Sequence, residues 1–109
     1  MNIDLGNFIQ ANVKVLSGRD KGELARKQLK LDELDAQEID KIEVKIPTKV
    51  WSMNSSFFLG CFGPSVRKLG ESLFRNKYVF QCDEVILKNV EDGISRALKV
   101  ADPLGRPIA

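Results

Sequence analysis

Apolar and polar residues alternate with period two over Ile42-Glu43-Val44-Lys45-Ile46, the clearest strand signal in the chain, so Ile42, Val44 and Ile46 share one face. Pro47 has no N–H to give a ladder and therefore stops this strand or confines it to a sheet edge. The period then changes. Phe57, Phe58, Cys61, Phe62, Val66 and Leu69 recur at helical spacing, which predicts a helix with a broad apolar face. Within it, Gly60 and Gly63 would allow close approach to a neighbouring sheet. Pro64 interrupts the hydrogen-bond ladder and predicts a kink or a break, with a second helical segment that carries Arg67 and Lys68 outward and ends near Gly70. Two consecutive phenylalanines point in different directions around a helix, so either Phe57 or Phe58 is a candidate for a self-association patch, and a homo-oligomer becomes one expectation.

The flanks are less regular. Residues 1–15 alternate loosely, with Ile3, Leu5, Phe8, Ile9, Val13 and Val15 as candidates for burial; a short strand and an irregular arm both fit. Residues 17–23 read as a loop entering a helix through Leu24, Ala25, Lys27, Gln28 and Leu29, with Arg26 pointing outward. Asp20 and Glu23 have the spacing of a capping box. Residues 31–41 are acidic and suit a turn of helix followed by a connector, with Asp32, Glu33 and Asp35 as a solvated face. Leu73 and Phe74 read as a turn, residues 77–81 as a second strand, and residues 85–87 as strand or the approach to a helix. Asn89 is the expected cap of a last helix that buries Val90, Ile94, Ala97, Leu98 and Ala101. The expected organisation is one domain: an N-terminal arm and helix over 1–41, a core over 42–101 and a frayed tail over 102–109.

Composition narrows the class. A chain of 109 residues, 43% apolar and 29% charged, is sized for one core. Net charge is +2 with both signs interleaved, so no basic run marks a nucleic-acid partner. No apolar run reaches membrane-spanning length and the N-terminus lacks a signal-peptide pattern, so a cytoplasmic protein that does not engage membranes is expected. Cys61 and Cys82 are expected as reduced thiols, the first as a small buried hydrophobe. The chain contains no histidine. That removes the commonest general base and the Ser-His and Cys-His nucleophile arrangements, and no metal or cofactor set is visible, so an enzyme is the least favoured class.

Two stretches carry candidate chemistry. Asn54-Ser55-Ser56 stands at the mouth of the apolar helix, where unpaired N–H groups and the helix dipole favour a capping Ser or Asn and also an anion or a phosphorylated side chain. The loop Ser17-Gly18-Arg19-Asp20-Lys21-Gly22 could cradle a phosphate, with Arg19 and Ser56 as its anion contacts, although it lacks P-loop spacing and also reads as a solvated turn.

The strand over 42–46, then Met53-Asn54-Ser55-Ser56-Phe57, Leu59-Gly60-x-Phe62-Gly63, Gly70 and Asp92-Gly93-Ile94, together resemble the STAS-like domain family, relatives of sulfate-transporter and anti-sigma-factor-antagonist domains. The resemblance covers the C-terminal two-thirds, and the S-G-R-D-x-G segment is similar to the N-terminal part of shorter STAS-like proteins. It implies an α/β fold with a mixed sheet of about four strands and helices packed on it. It also implies a non-enzymatic regulatory interaction module whose partner is a histidine-kinase-type ATPase or an anti-sigma factor. In the antagonists the matching segment reads D-S-S-G and its second serine is phosphorylated, which falls on Ser56; Asn54, Ser55, Ser56 and Phe57 would then face the partner. Here Asn54 stands in place of the acidic residue and Phe57 in place of the glycine. The alternatives from the residues themselves are a small anion- or nucleotide-binding domain and a structural homo-oligomer.

Overall fold

The alternating segment forms strand β3 (Ile42–Lys45), the middle of a three-stranded sheet. A computed structural model of the protein describes residues 1–8, 15–38 and 41–99. In chain order these form β1 (Asn2–Asp4), a 3-10 turn (Leu5–Phe8), β2 (Val15–Leu16), α1 (Arg19–Leu29), α2 (Leu31–Ala36), β3, β4 (Ser52–Met53), α3 (Ser55–Cys61), α4 (Gly63–Leu69), α5 (Glu71–Lys77), β5 (Tyr78–Gln81) and α6 (Glu84–Leu98). The fold is α/β. Its sheets correct the expectation of one mixed sheet of about four strands: β1-β3-β5 is parallel throughout, and β2-β4 is a separate parallel pair. The chain explains this, since α1 and α2 lie between β1 and β3, and α3 to α5 lie between β3 and β5. Parallel neighbours require such crossovers.

Register places Ile3, Val44 and Phe80 side by side across the sheet, with Ile42 beside Tyr78. This face meets the helices; Asn2, Asp4, Glu43, Lys45 and Gln81 occupy the other. Ile42, Val44 and Ile46 are all buried, as their period-two spacing predicts. Against them sits an aromatic cluster in which Phe62 and Phe80 meet edge-on at 5.2 Å and Phe74 stacks on Tyr78 at 5.0 Å. Such pairs contribute about 0.5–1.5 kcal/mol each beyond the area they bury.

The helix at the centre of the fold is enclosed on more than one side. Phe57 and Phe58 are both buried, so neither supplies the exposed patch expected from their succession. One reason is that α1 lies along α3 while α6 covers another flank. Gly22 and Gly60 form the first contact: a Cβ on Gly22 would overlap the Phe57 carbonyl, and one on Gly60 would overlap the Arg19 carbonyl. Gly60 therefore serves a helix contact, not the sheet contact read from the sequence. On the other flank Gly93 of α6 meets the Phe58 ring. The chain breaks before Pro64: α3 ends at Cys61, Pro64 lies in the first turn of α4, and Gly70 closes α4 at φ +82°.

Several local readings change for stated reasons. Helix α1 starts at Arg19 after Gly18, with no side-chain cap, so Asp20 and Glu23 make no capping box. Leu73 and Phe74 lie in α5 instead of a turn, burying Phe74 and exposing Leu73. Helix α6 begins at Glu84 because the Asp83 carboxylate caps the Ile86 N–H at 3.0 Å; Asn89 lies within that helix. Ile3 and Leu5 are buried and Val15 is exposed, while Ile9, Val13, Ala101 and the tail over 102–109 lie outside the described residues. No helix among the described residues is long and apolar enough to cross a membrane.

The interlocked glycines generate a prediction. Gly22→Ala and Gly60→Ala each lower the unfolding free energy by about 1–3 kcal/mol through overpacking, against the roughly 1 kcal/mol gain that alanine brings to a helix. Urea unfolding checks the sign, and a stabilised variant at either position contradicts the close contact.

Candidate functional site

The sequence leaves the cap of α3 open between asparagine and serine, and the geometry assigns it to Asn54. Its side-chain oxygen accepts the Phe57 N–H at 2.9 Å, with Asn54 at φ −83° and ψ 164°. The Asn54 N–H donates in turn to the Leu16 carbonyl at 2.9 Å, fixing the entry to α3 against β2. Met53, just before it, donates its N–H to the Asn89 side-chain oxygen at 2.8 Å, which ties this entry to α6. With Asn54 serving as the cap, the hydroxyls of Ser55 and Ser56 have no hydrogen-bond partner among the described residues. Ser56 is exposed and Ser55 half-buried, while Phe57 is 1% exposed.

A second cluster lies inside the fold and escapes the sequence reading. Asp35, expected on a solvated face, is buried. Its Oδ1 accepts from the Tyr78 hydroxyl at 2.5 Å; its Oδ2 accepts from the Ser65 hydroxyl at 2.5 Å and from Arg26 Nη2 at 3.0 Å. Arg26, expected to point outward, is buried too, and also donates to the Cys61 carbonyl at 2.9 Å, to Ser65 at 2.8 Å and to exposed Asp32. Lys77 lies beside them, its ammonium on the carbonyls of Leu34 at 2.6 Å and Gln37 at 2.9 Å. Helical periodicity carried a signal for both corrections: Asp35 follows Leu31 and Leu34 at the spacing of a buried face, and Arg26 follows Gly22 and Ala25 likewise. Among the described residues no buried side-chain polar atom lacks a partner. The cluster ties α1, α2, α4 and β5 together, and Ser65 is fully buried, so its hydroxyl serves as a structural link.

Burial opposes charge on Arg26, but its hydrogen bonds to Asp32 and Asp35 outweigh that and raise its pKa. Burial, then the Asp35 hydrogen bond, raises the Tyr78 phenol. Burial pushes the Cys61 thiol up to about 12, opposed by Arg26. Both cysteines are free thiols.

Arg19 is exposed at the first position of α1, with its backbone against Gly60, one helical turn beyond Ser56. Burial first, then Arg19 and Arg26, lowers the Arg67 pKa. Among the described residues no three His, Cys, Asp or Glu side chains converge as metal ligands. Comparison with protein-family models, curated proteins and solved structures returns no match to this chain.

Two predictions follow from the buried cluster. Asp35→Ala leaves Arg26 without its interior partner and costs about 3–5 kcal/mol, whereas Asp32→Ala, at an 86% exposed carboxylate, costs under about 1 kcal/mol. Chemical denaturation of the two variants checks the contrast. The second concerns alkaline pH. The folded thiol at Cys61 ionises near 12 and the unfolded one near 9.0, so its contribution is complete below about pH 9 and is lost as pH rises toward 12. The slope approaches about 1.4 kcal/mol per pH unit, and Tyr78 adds to it with the same sign above about pH 10. Urea midpoints that fall from about pH 9 upward, less steeply in Cys61→Ala, are the expected result.

Proposed function

We propose that this protein is a non-enzymatic regulatory interaction module of STAS-like type that docks a protein partner on the lip formed by Asn54, Ser55 and Ser56. One observation carries the reading: Asn54 caps α3, so the adjacent serine hydroxyls are uncommitted, and Ser56 is exposed at a point fixed to β2 and α6. A rigid, exposed hydroxyl is suited to recognition and to modification. Phosphorylation of Ser56 adds close to two negative charges at that point and changes partner affinity through charge and bulk, so the lip acts as a switch. The proposed partner is a regulator of the histidine-kinase-type ATPase or anti-sigma-factor class. Phe57 supports the lip from beneath, its ring buried in the core.

Mass spectrometry of the protein from its native host, or after incubation with an ATPase encoded beside it, is expected to find phosphate on Ser56 and none on a Ser56→Ala variant. Phosphate confined to other residues would rule out the switch. Ser56→Asp is expected to unfold within about 0.5 kcal/mol of the parent, as an exposed substitution should, while weakening or strengthening the partner complex at least severalfold by calorimetry. Unchanged affinity would remove the lip from the interface.

A further inference from the structure

Strand β5 lies at one side of its sheet, and no described strand pairs with its outer edge. The register shows which groups stand there. Gln81 turns its carbonyl inward to accept the Ile46 N–H at 3.0 Å, so the alternation along a strand turns the N–H and C=O of Phe80 outward. The Tyr78 carbonyl shares that direction, whereas the Tyr78 N–H is already held by the Phe74 carbonyl. A groove follows this edge. Tyr78, Val79 and Phe80 line one wall of it, and because Val79 faces the opposite side of the sheet from its neighbours, open space touching all three lies beside the strand. Leu87, Val90 and Ile94 of α6 form the other wall, with Leu87 43% exposed. Residues 78–80 include no charge and no proline, while β1 at the far side of the sheet is shorter and carries Asp4. A bare apolar edge of this kind is a template for another strand.

We propose that this edge receives the same edge of a second copy of the chain, joining two three-stranded sheets across a two-fold axis at Phe80. A second copy fits because the edge is complementary to itself. In antiparallel pairing Phe80 exchanges both backbone bonds with the partner's Phe80, and the Cys82 N–H meets the partner's Tyr78 carbonyl. The Tyr78 N–H, already engaged, stands at the end of this ladder. Charge agrees. Arg75 stands before β5 and Asp83 and Glu84 after it, so antiparallel pairing sets the basic start of one strand toward the acidic end of the other, whereas parallel pairing sets like beside like. Leu87, on the groove beside Phe80, comes to the axis and is covered by its own counterpart. The self-association expected of Phe57 or Phe58, both buried, thus moves to β5. This edge is separate from the docking lip, and its failure leaves the reading of Ser56 untouched.

Sedimentation equilibrium of the intact chain from micromolar to millimolar concentration is expected to show a monomer–dimer equilibrium. Leu87→Lys sets two ammonium groups beside each other at the axis and is expected to raise the dissociation constant about tenfold or more. Leu73→Lys, at an exposed position of α5 outside the groove, is expected to leave it unchanged. Amide spectra of both variants report whether the fold is kept. In a sample that mixes isotope-labelled and unlabelled chains, an NOE is expected between the Hα of Val79 and the Hα of the partner's Gln81, which face each other when Phe80 lies on the axis. A monomer throughout that concentration range, equal dissociation constants for Leu87→Lys and the parent, or absence of the contact between chains each overturns the proposal.

Discussion

A single carboxylate, Asp35, sets the geometry of much of the interior. It sits fully buried at the end of a short helix, and an isolated charge there would cost several kcal/mol. The fold meets that cost by bringing Arg26 from α1, Ser65 from α4 and Tyr78 from β5 to its two oxygens. Each donor fixes the position of the element that carries it. The Tyr78 ring, held at its hydroxyl, stacks on Phe74 and meets Phe62 edge-on, so the polar link and the aromatic cluster position one another. Lys77 adds a second tie by satisfying the last carbonyls of α2. Buried ion pairs are weak contributors to net stability but strict about geometry, since a displaced partner leaves a charge unmatched.

The same economy of polar groups shapes the surface. Where Asn54 occupies the cap of α3, the two following serines are released from it, and the chain presents them at a fixed point between β2 and α6. Where carboxylates are engaged by Arg26, Arg75 and Arg96, Arg19 and Arg67 form no ion pair with a described residue. Both features arise from which polar groups are already engaged elsewhere, a property of the whole fold.

Much of the scaffold was readable in the chain. The alternation in β3, the helical spacing from Phe57 to Leu69, the break at Pro64 and the end at Gly70 are local signals, and each has its structural counterpart. The cap of α6 was readable too, since Asp83 precedes Glu84 and an apolar run, and residues 85–87 belong to the helix itself instead of a strand or an approach to it. Arg26 and Asp35 lay on apolar helical faces, but charge argued for solvent. Each could be buried only because the other was, and no pattern within one element shows that.

What the residues alone determined, then, are the elements whose cause is local: side-chain period, proline without an N–H, and glycine where φ is positive. Tertiary structure decided the rest: which strands became neighbours, that Gly22 and Gly60 close one helix on another, which of three candidate residues capped α3, and which arginines found carboxylates. These outcomes depend on contacts between residues remote in sequence, where burial and pairing outweigh the preference of any residue taken singly.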